Sequence, residues 1–127
     1  MVQVKVSQEM GRGVYASETI KAGQNVMLCE ILVLDQIDTF KVNSTSLKYY
    51  TFKFNETQDC LVLGLGEIFN HDNRPNVSYG LVEHDGRMMM TFTALSDIDV
   101  RAQLFIDYAA DTQVVVNEYI ETGSLVG

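Results

Sequence analysis

Two β-prone runs on either side of Asp85-Gly86 constrain this chain more than any other feature of its sequence. The runs cover residues 77–83 and 87–95, and His84 falls in the turn between them. Asp-Gly is typical of the two-residue turn that joins antiparallel strands, because both of its positions tolerate positive φ. The pattern predicts a β-hairpin.

Shorter runs predict further strands. Val2, Val4 and Val6 alternate with polar residues, as in a half-buried strand. The glycine-bearing stretches 11–13 and 21–24 predict a break and a turn. Other predicted strands cover residues 14–16, 25–34, 61–65 and 104–108. Many short strands and little helix predict an irregular all-β or α+β fold.

The best helical stretch is STSLKYYTFK, residues 44–53. Ser44 or Thr45 could cap it, and Leu47, Tyr50 and Phe54 would share one face. Near the end of the chain, residues 114–120 predict a strand or a short helix. The sequence therefore predicts one or two short helices among the strands.

The length of 127 residues fits one domain, residues 1–127, and no stretch approaches the length of a membrane span. The first ten residues lack the order of a signal peptide, which predicts a soluble intracellular protein. The net charge of −8 disfavours unassisted binding to nucleic acid and favours a basic protein or peptide as partner. Solubility alone would explain the same charge equally well.

Metal-dependent and nucleophilic chemistry have weak support. His71-Asp72 resembles a fragment of a metal-dependent hydrolase, but such sites need several converging ligands. No G-x-S-x-G sequence occurs, and Cys29 and Cys60 lie in apolar runs that predict buried, inert thiols. We therefore predict no bound metal.

Four polar or aromatic segments remain, in a fixed order along the chain. They are Gly11-Arg12-Gly13-Val14-Tyr15, Tyr50, Asn70-His71-Asp72-Asn73-Arg74-Pro75-Asn76 and Leu104-Phe105-Ile106-Asp107-Tyr108. The third segment offers side-chain donors and acceptors that could read a purine edge. Taken alone, it is more typical of a turn rich in Asx hydrogen bonds.

Taken together, the four segments resemble the SET domain of protein lysine methyltransferases. The most specific piece is Phe69-Asn70-His71-x-x-x-Pro75-Asn76, which is similar to the family's F-x-N-H-x-x-x-P-N signature. The second is Leu104-x-x-Asp107-Tyr108, similar to its E-L-x-x-D-Y. Because zinc-binding flanking modules are not evident, the chain looks most like the minimal stand-alone SET proteins of some viruses.

The resemblance implies a mainly β, β-clip-like SET fold, with small sheets and a pseudoknot in which the third and fourth segments meet. It implies that S-adenosylmethionine binds against Gly11, Arg12, Gly13, Val14 and Tyr15 and against Asn70 and His71. It makes Tyr108 the catalytic tyrosine. A channel for the target lysine would be lined by Tyr50, Ile106 and Tyr108.

The sequence departs from the family pattern at four places. Asn73 stands where a cysteine is frequent, and Gln103 replaces the usual glutamate. Ile106 occupies a position where many relatives carry Phe or Tyr, which leaves the number of added methyl groups open. Without a zinc-binding cap, Tyr119 is a candidate for closing the site.

The resemblance favours an S-adenosylmethionine-dependent methyltransferase acting on a lysine of a basic protein, such as a histone tail. The alternative is a non-catalytic SET-like module that binds the cofactor or a peptide, and a hydrolase using His71-Asp72 ranks third. A homodimer could complete the peptide groove of so small an enzyme. A histone substrate would predict the nucleus, and another substrate the cytoplasm.

Overall fold

The computed structural model describes residues 1–9, 11–108 and 113–115. In this part of the chain, α1 covers Gln36–Asn43, and 3₁₀ helices cover Ser46–Tyr50 and Gly64–Glu67. The strands are β1 Val2–Ser7, β2 Gly11–Ala16, β3 Asn25–Val33, β4 Thr51–Lys53, β5 Asp59–Val62, β6 Asn70–His71, β7 Val77–His84, β8 Arg87–Ala94, β9 Gln103–Ile106 and β10 Gln113–Val115. The predicted mainly β fold is confirmed. None of the described helices has the length and apolar character needed to cross a membrane.

The hairpin forms as predicted. β7 and β8 pair antiparallel from Val77 opposite Ala94 to His84 opposite Arg87. Asp85 and Gly86 form the connection with φ of 51° and 77°. Two successive positive φ values characterise the turn whose twist matches that of the flanking strands.

The strands form two small sheets. The larger has the order β10-β7-β8-β3-β5-β4, and the smaller has the order β1-β2-β9-β6. In the smaller sheet β9 runs antiparallel to β2 and parallel to β6. Because β9 lies between β2 and β6, residues from the beginning, the middle and the late part of the chain lie side by side in this sheet.

The core lies between the sheets and is built around aromatic side chains. Phe69 and Phe92 are buried, and their rings stack with centroids 4.8 Å apart. Val14, Leu104 and Ile106 join them from the smaller sheet. Cys29 and Cys60 are buried as predicted. Since β2 and β9 contribute core side chains and Phe69 directly precedes β6, the polar residues on these strands lie on a packed support.

The helical prediction for residues 44–53 is wrong in extent. Ser44 is the C-cap of α1, and the chain continues as the 3₁₀ helix and then as β4. Thr45 does cap the 3₁₀ helix, because its hydroxyl accepts a hydrogen bond from the Leu47 N–H at 3.2 Å. Tertiary pairing with β5 outweighs local helix preference in the second half of the segment.

Two strand predictions also need correction. Gly11-Arg12-Gly13 does not interrupt the extended structure, because β2 begins at Gly11 and pairs with β1 through Ser7. β1 lies at the edge of its sheet and is less buried than its alternating valines predict, with Val6 77% exposed. An alternating pattern indicates two different faces, but it does not show that another layer covers the apolar one.

Candidate active site

The third and fourth polar segments meet, as the resemblance to the SET domain implies. Asn70 pairs with Phe105 and His71 pairs with Ile106 in the parallel β6–β9 ladder. The Asp72 N–H donates to the carbonyl oxygen of Ile106 at 3.1 Å, which extends the contact past the end of β6. Residues far apart in sequence are thereby fixed side by side.

Asn76 connects the same two segments through its side chain. Its Nδ2 donates to the carbonyl oxygen of Gln103 at 2.9 Å, and its Oδ1 accepts from the Phe105 N–H at 2.8 Å. The side-chain amide of Asn76 therefore makes the two hydrogen bonds to β9 that the backbone of a neighbouring strand would otherwise make. An asparagine is suited to this role because it carries a donor and an acceptor on one planar group.

Tyr108 lies at the end of the fourth segment and contacts the third at two points. Its backbone N–H donates to Nδ1 of His71 at 2.9 Å. Its hydroxyl donates to the carbonyl oxygen of Phe69. The residue is therefore held at both ends, although as a whole it is partly exposed.

A pocket of about 270 Å³ opens beside this junction. Four residues predicted for the site line it: Arg12, Tyr50, Asn70 and Tyr108. Four further lining residues were not predicted: Tyr49, Glu67, Ile68 and Phe69. The structure thus brings one residue from each of the four sequence segments to one cavity.

Asn70 ties the pocket to the neighbouring strands. Its Nδ2 donates to the carbonyl oxygen of Arg12 at 3.0 Å and to Oε1 of Gln103 at 2.8 Å. Nε2 of Gln103 in turn donates to the hydroxyl of Tyr15 at 3.1 Å. Because both bonds of Asn70 use its nitrogen, the carbonyl oxygen Oδ1 remains as an acceptor for a ligand.

Gly13 allows these amides to approach the backbone. A Cβ at this position would lie 2.5 Å from Oε1 of Gln103 and 3.0 Å from Nδ2 of Asn70. Any larger residue would displace at least one of them. The glycine predicted to bind cofactor is therefore required first of all for the contact between β2, β6 and β9.

The other predicted site residues do not line this pocket. Val14 is buried in the core, and Ile106, predicted to line the lysine channel, is 1% exposed in the same core. Gly11 is exposed and adopts φ of 65°. The ring of His71 lies 5.0 Å from that of Tyr108, outside the lining. Tyr119 and residues 116–120 lie outside the described residues.

Glu67 is the one acidic residue among the four lining residues that the sequence did not predict. Its Oε1 is buried and has no hydrogen-bond partner among the described residues. Burial raises the pKa of its carboxyl group to about 7, and a hydrogen bond from the Val62 backbone lowers the pKa by a smaller amount. The signal available in the sequence was a single carboxylate inside the apolar run LVLGLGEIF, directly before the Asn70-His71 motif.

The phenol and the thiols near the pocket stay neutral near pH 7. The pKa of Tyr108 is raised by burial first, and then by the charges of Tyr50 and Glu67. Burial raises the pKa of the Cys60 thiol to about 12, and the pKa of the Cys29 thiol is also raised. Neither thiol is therefore activated as a nucleophile. Within the described ranges, no three His, Cys, Asp or Glu side chains are grouped to hold a metal ion.

Known proteins resemble this chain in sequence. A protein-family model described as the SET domain matches residues 11–109. A curated protein of Schizosaccharomyces pombe, named histone-lysine N-methyltransferase, H3 lysine-37 specific, is 30% identical over 109 residues. That match covers 84% of this chain and 72% of the relative.

Solved structures share the fold. A crystal structure from Plasmodium falciparum, assigned as a candidate histone methyltransferase, gives a TM-score of 0.69 at 21% identity and covers 87% of this chain and 99% of its own. A crystal structure of the Chaetomium thermophilum polycomb repressive complex 2 gives a TM-score of 0.74 at 20% identity. The match covers 88% of this chain and 16% of the matched chain of the complex. A structure of that complex bound to S-adenosylmethionine gives a TM-score of 0.71 at 22% identity. The match covers 85% of this chain and 15% of the matched chain.

Proposed function

This chain belongs to the SET domain family, and from that premise we propose that it is a protein-lysine N-methyltransferase that uses S-adenosylmethionine. The observation that carries the proposal is the position of Tyr108, which lines one pocket together with Tyr50 and Asn70. The substrate is a lysine of a basic protein, with histones as the first candidates. The likeness to minimal viral SET proteins stays a prediction of the sequence.

The pocket has the donor and acceptor groups that the cofactor needs. The guanidinium of Arg12 matches a carboxylate, and Oδ1 of Asn70 matches an ammonium group. The backbone of β2 from Gly11 to Tyr15, with His71, completes the proposed binding surface. When bound, S-adenosylmethionine supplies a methyl group activated by a positively charged sulfonium.

The target lysine must lose a proton before it can act as a nucleophile. With a pKa of about 10.4, only about one free lysine in a few thousand is neutral near pH 7, a deficit of roughly 4–5 kcal/mol. Aromatic walls that exclude water disfavour the ammonium form and reduce this deficit. Tyr50 and Tyr108, which line the pocket, are the proposed walls, whereas Ile106 packs in the core.

Tyr108 is proposed to orient the amine. Its hydroxyl hydrogen is donated to the carbonyl oxygen of Phe69, so its oxygen is available to accept a hydrogen bond from the amine N–H. Because its pKa is raised, the phenol stays protonated near neutral pH. The residue therefore positions the lone pair of the nitrogen and is not required as a strong base.

Incubation with cofactor carrying a labelled methyl group, core histones and a cell extract tests the proposal, with mass spectrometry of the labelled lysine. We expect label on lysine side chains and its loss in Tyr108→Phe. Cofactor binding without transfer to any protein would instead establish a non-catalytic binding module.

The acidic charge supports the choice of a basic partner. The net charge of −8 attracts lysine-rich segments, and the fission-yeast relative is named for a histone H3 lysine. A histone substrate would place the enzyme in the nucleus. The proposed homodimer is tested by analytical ultracentrifugation, in which a mass twice 14.3 kDa is expected.

A further inference from the structure

Glu67 lines the pocket from the end of a closely packed turn. It is the last residue of the 3₁₀ helix Gly64–Glu67. The preceding Gly66 packs so closely that a Cβ would lie 2.5 Å from Cγ1 of Val62 and 3.0 Å from the ring of Phe92. The close packing of Gly66 against Val62 and Phe92 therefore leaves no room for a larger residue directly before Glu67.

The carboxylate has no charged counterpart in the described part of the chain. Oε1 is buried without a hydrogen-bond donor, and none of the ion pairs of the described residues includes Glu67. A buried acceptor without a partner is unfavourable, and a buried charge more so. The site is therefore suited to a ligand that supplies a charged donor.

The backbone of Val62 gives the carboxylate a neutral hydrogen bond, and the titratable and charged groups that face Glu67 do not supply a charged donor. The thiols of β3 and β5 and the phenol that follows β9 interact with its charge and stay neutral near pH 7, and Arg12 of β2 lines the same pocket without pairing with it. These groups are Cys29, Cys60, Tyr108 and Arg12. Glu67 is the one carboxylate in the described lining of the pocket.

We propose that Glu67 receives the ammonium group of the target lysine and takes up its proton before methyl transfer. The inference rests on the proposed function, because Tyr108 and Tyr50 of the same pocket are the walls assigned to the lysine. An ammonium between these tyrosines would lie in the same pocket that the side chain of Glu67 lines.

The proton transfer is balanced within the site. An N–H bond of the lysine Nζ breaks, its electron pair stays on nitrogen, and the proton binds a carboxylate oxygen of Glu67. The result is a neutral amine and a neutral carboxylic acid in a partly dehydrated pocket. A carboxyl group with a pKa of about 7 is matched to this task near neutral pH, and it can release the proton to solvent before the next turnover.

Binding of n-butylamine, a mimic of the lysine side chain, tests the proposal without a protein substrate. At pH 8 we expect the wild-type protein to bind n-butylamine about tenfold more tightly than n-butanol, measured from NMR shifts of the tyrosine rings. The preference should fall as the pH is lowered from about 8 to about 5.5, because Glu67 becomes protonated. Equal binding of the two compounds at pH 8 would overturn the proposal.

Two variants separate the possible roles of the carboxylate. Glu67→Gln should abolish the preference for the amine and leave the dissociation constant of S-adenosylmethionine unchanged in calorimetry. The matched control, Glu56→Gln, changes an exposed glutamate and should behave as wild type. A tenfold loss of cofactor affinity in Glu67→Gln with amine binding retained would assign Glu67 to the cofactor and refute the proposal.

The pH profile of methyl transfer to core histones provides the second readout. Wild-type kcat/KM should level off above about pH 7, whereas that of Glu67→Gln should be lower at pH 7 and keep rising with pH as solvent deprotonates the lysine. A uniform loss at every pH would indicate a merely structural residue. If the protein binds n-butylamine as expected but methylates no protein, the proposed function and the role in proton uptake fail, and only the binding of an ammonium group by Glu67 stands.

Discussion

The backbone N–H of Tyr108 donates a hydrogen bond to Nδ1 of His71 over 2.9 Å. The acceptor nitrogen must be unprotonated, so the neutral ring carries its hydrogen on Nε2. The bond fixes the backbone of Tyr108 one residue beyond Asp107, while its hydroxyl is held by the carbonyl oxygen of Phe69. The histidine of the motif therefore positions the proposed catalytic residue.

Replacement of His71 tests this positioning role. Asparagine can present an acceptor near the place of Nδ1, whereas leucine cannot. We expect His71→Leu to lower the free energy of unfolding by roughly 0.5–1.5 kcal/mol, the usual net value of one hydrogen bond, and to reduce turnover. His71→Asn should retain more of both. Equal losses in the two variants, by urea denaturation and methyl-transfer assay, would contradict the role of the acceptor.

Removal of the Tyr108 hydroxyl should separate binding from turnover. Tyr108→Phe keeps the ring and loses the oxygen that is proposed to orient the amine, so we expect kcat to fall by roughly 100-fold or more. The dissociation constant of the cofactor, measured by calorimetry, should change little. Tyr49→Phe is the matched control, because Tyr49 lines the same pocket and its hydroxyl is assigned no part in orienting the amine. Near-normal turnover of Tyr108→Phe would exclude the assigned role.

A methyl group added at Gly13 should disturb the amide pair of Asn70 and Gln103. The added Cβ would lie 2.5 Å from Oε1 of Gln103, so the 2.8 Å bond between the two side chains must break or lengthen. We expect Gly13→Ala to lower stability by about 1–3 kcal/mol and to weaken cofactor binding. Combining it with Gln103→Ala makes room and should recover part of the stability. Wild-type Tm and cofactor affinity in the Gly13→Ala variant would disprove the close approach.

Glu67 should make stability depend on pH. Its pKa is raised from 4.5 to about 7 on folding, so the folded state binds the proton more tightly than the unfolded state. The resulting stabilisation is present below pH 4.5 and is lost as the pH rises through about 7. At about pH 8, Glu67→Gln should therefore have a free energy of unfolding higher than that of wild type by on the order of 1 kcal/mol, a value discounted for partial exposure. At about pH 5.5 the increase in the free energy of unfolding should be smaller. Urea denaturation at both pH values measures the difference, and an equal gain at both would contradict it.

The junction of the two polar segments was predictable through the resemblance to the SET domain, whose motif residues are specific in type. Asn70, His71 and Asn76 each use a side-chain group that an apolar or larger residue lacks, and their spacing places them along one strand and its exit. The hairpin was predictable for a similar reason, since Asp85 and Gly86 adopt a conformation that few residue pairs tolerate.

Features that depend on three-dimensional packing were not predictable. α1 is capped by Asp35 but has no buried residue, so no amphipathic pattern marks it. Ile106 was expected to line the channel, yet the alternation along β9 turns Leu104 and Ile106 into the core. Glu67 reaches the pocket because the 3₁₀ helix Gly64–Glu67 ends there. A helix this short has no hydrophobic periodicity from which the sequence could predict it.

The place of β9 between β2 and β6 sets an order of events during synthesis. The hairpin of β7 and β8 needs only neighbouring residues, so it can close as soon as it leaves the ribosome. The pocket must wait, because Val14 has no partner on β9 until Leu104 is made, and Asn70 none until Phe105. A nascent chain thus carries most of its large sheet well before it can hold a ligand, and a partly translated protein is expected to be catalytically silent.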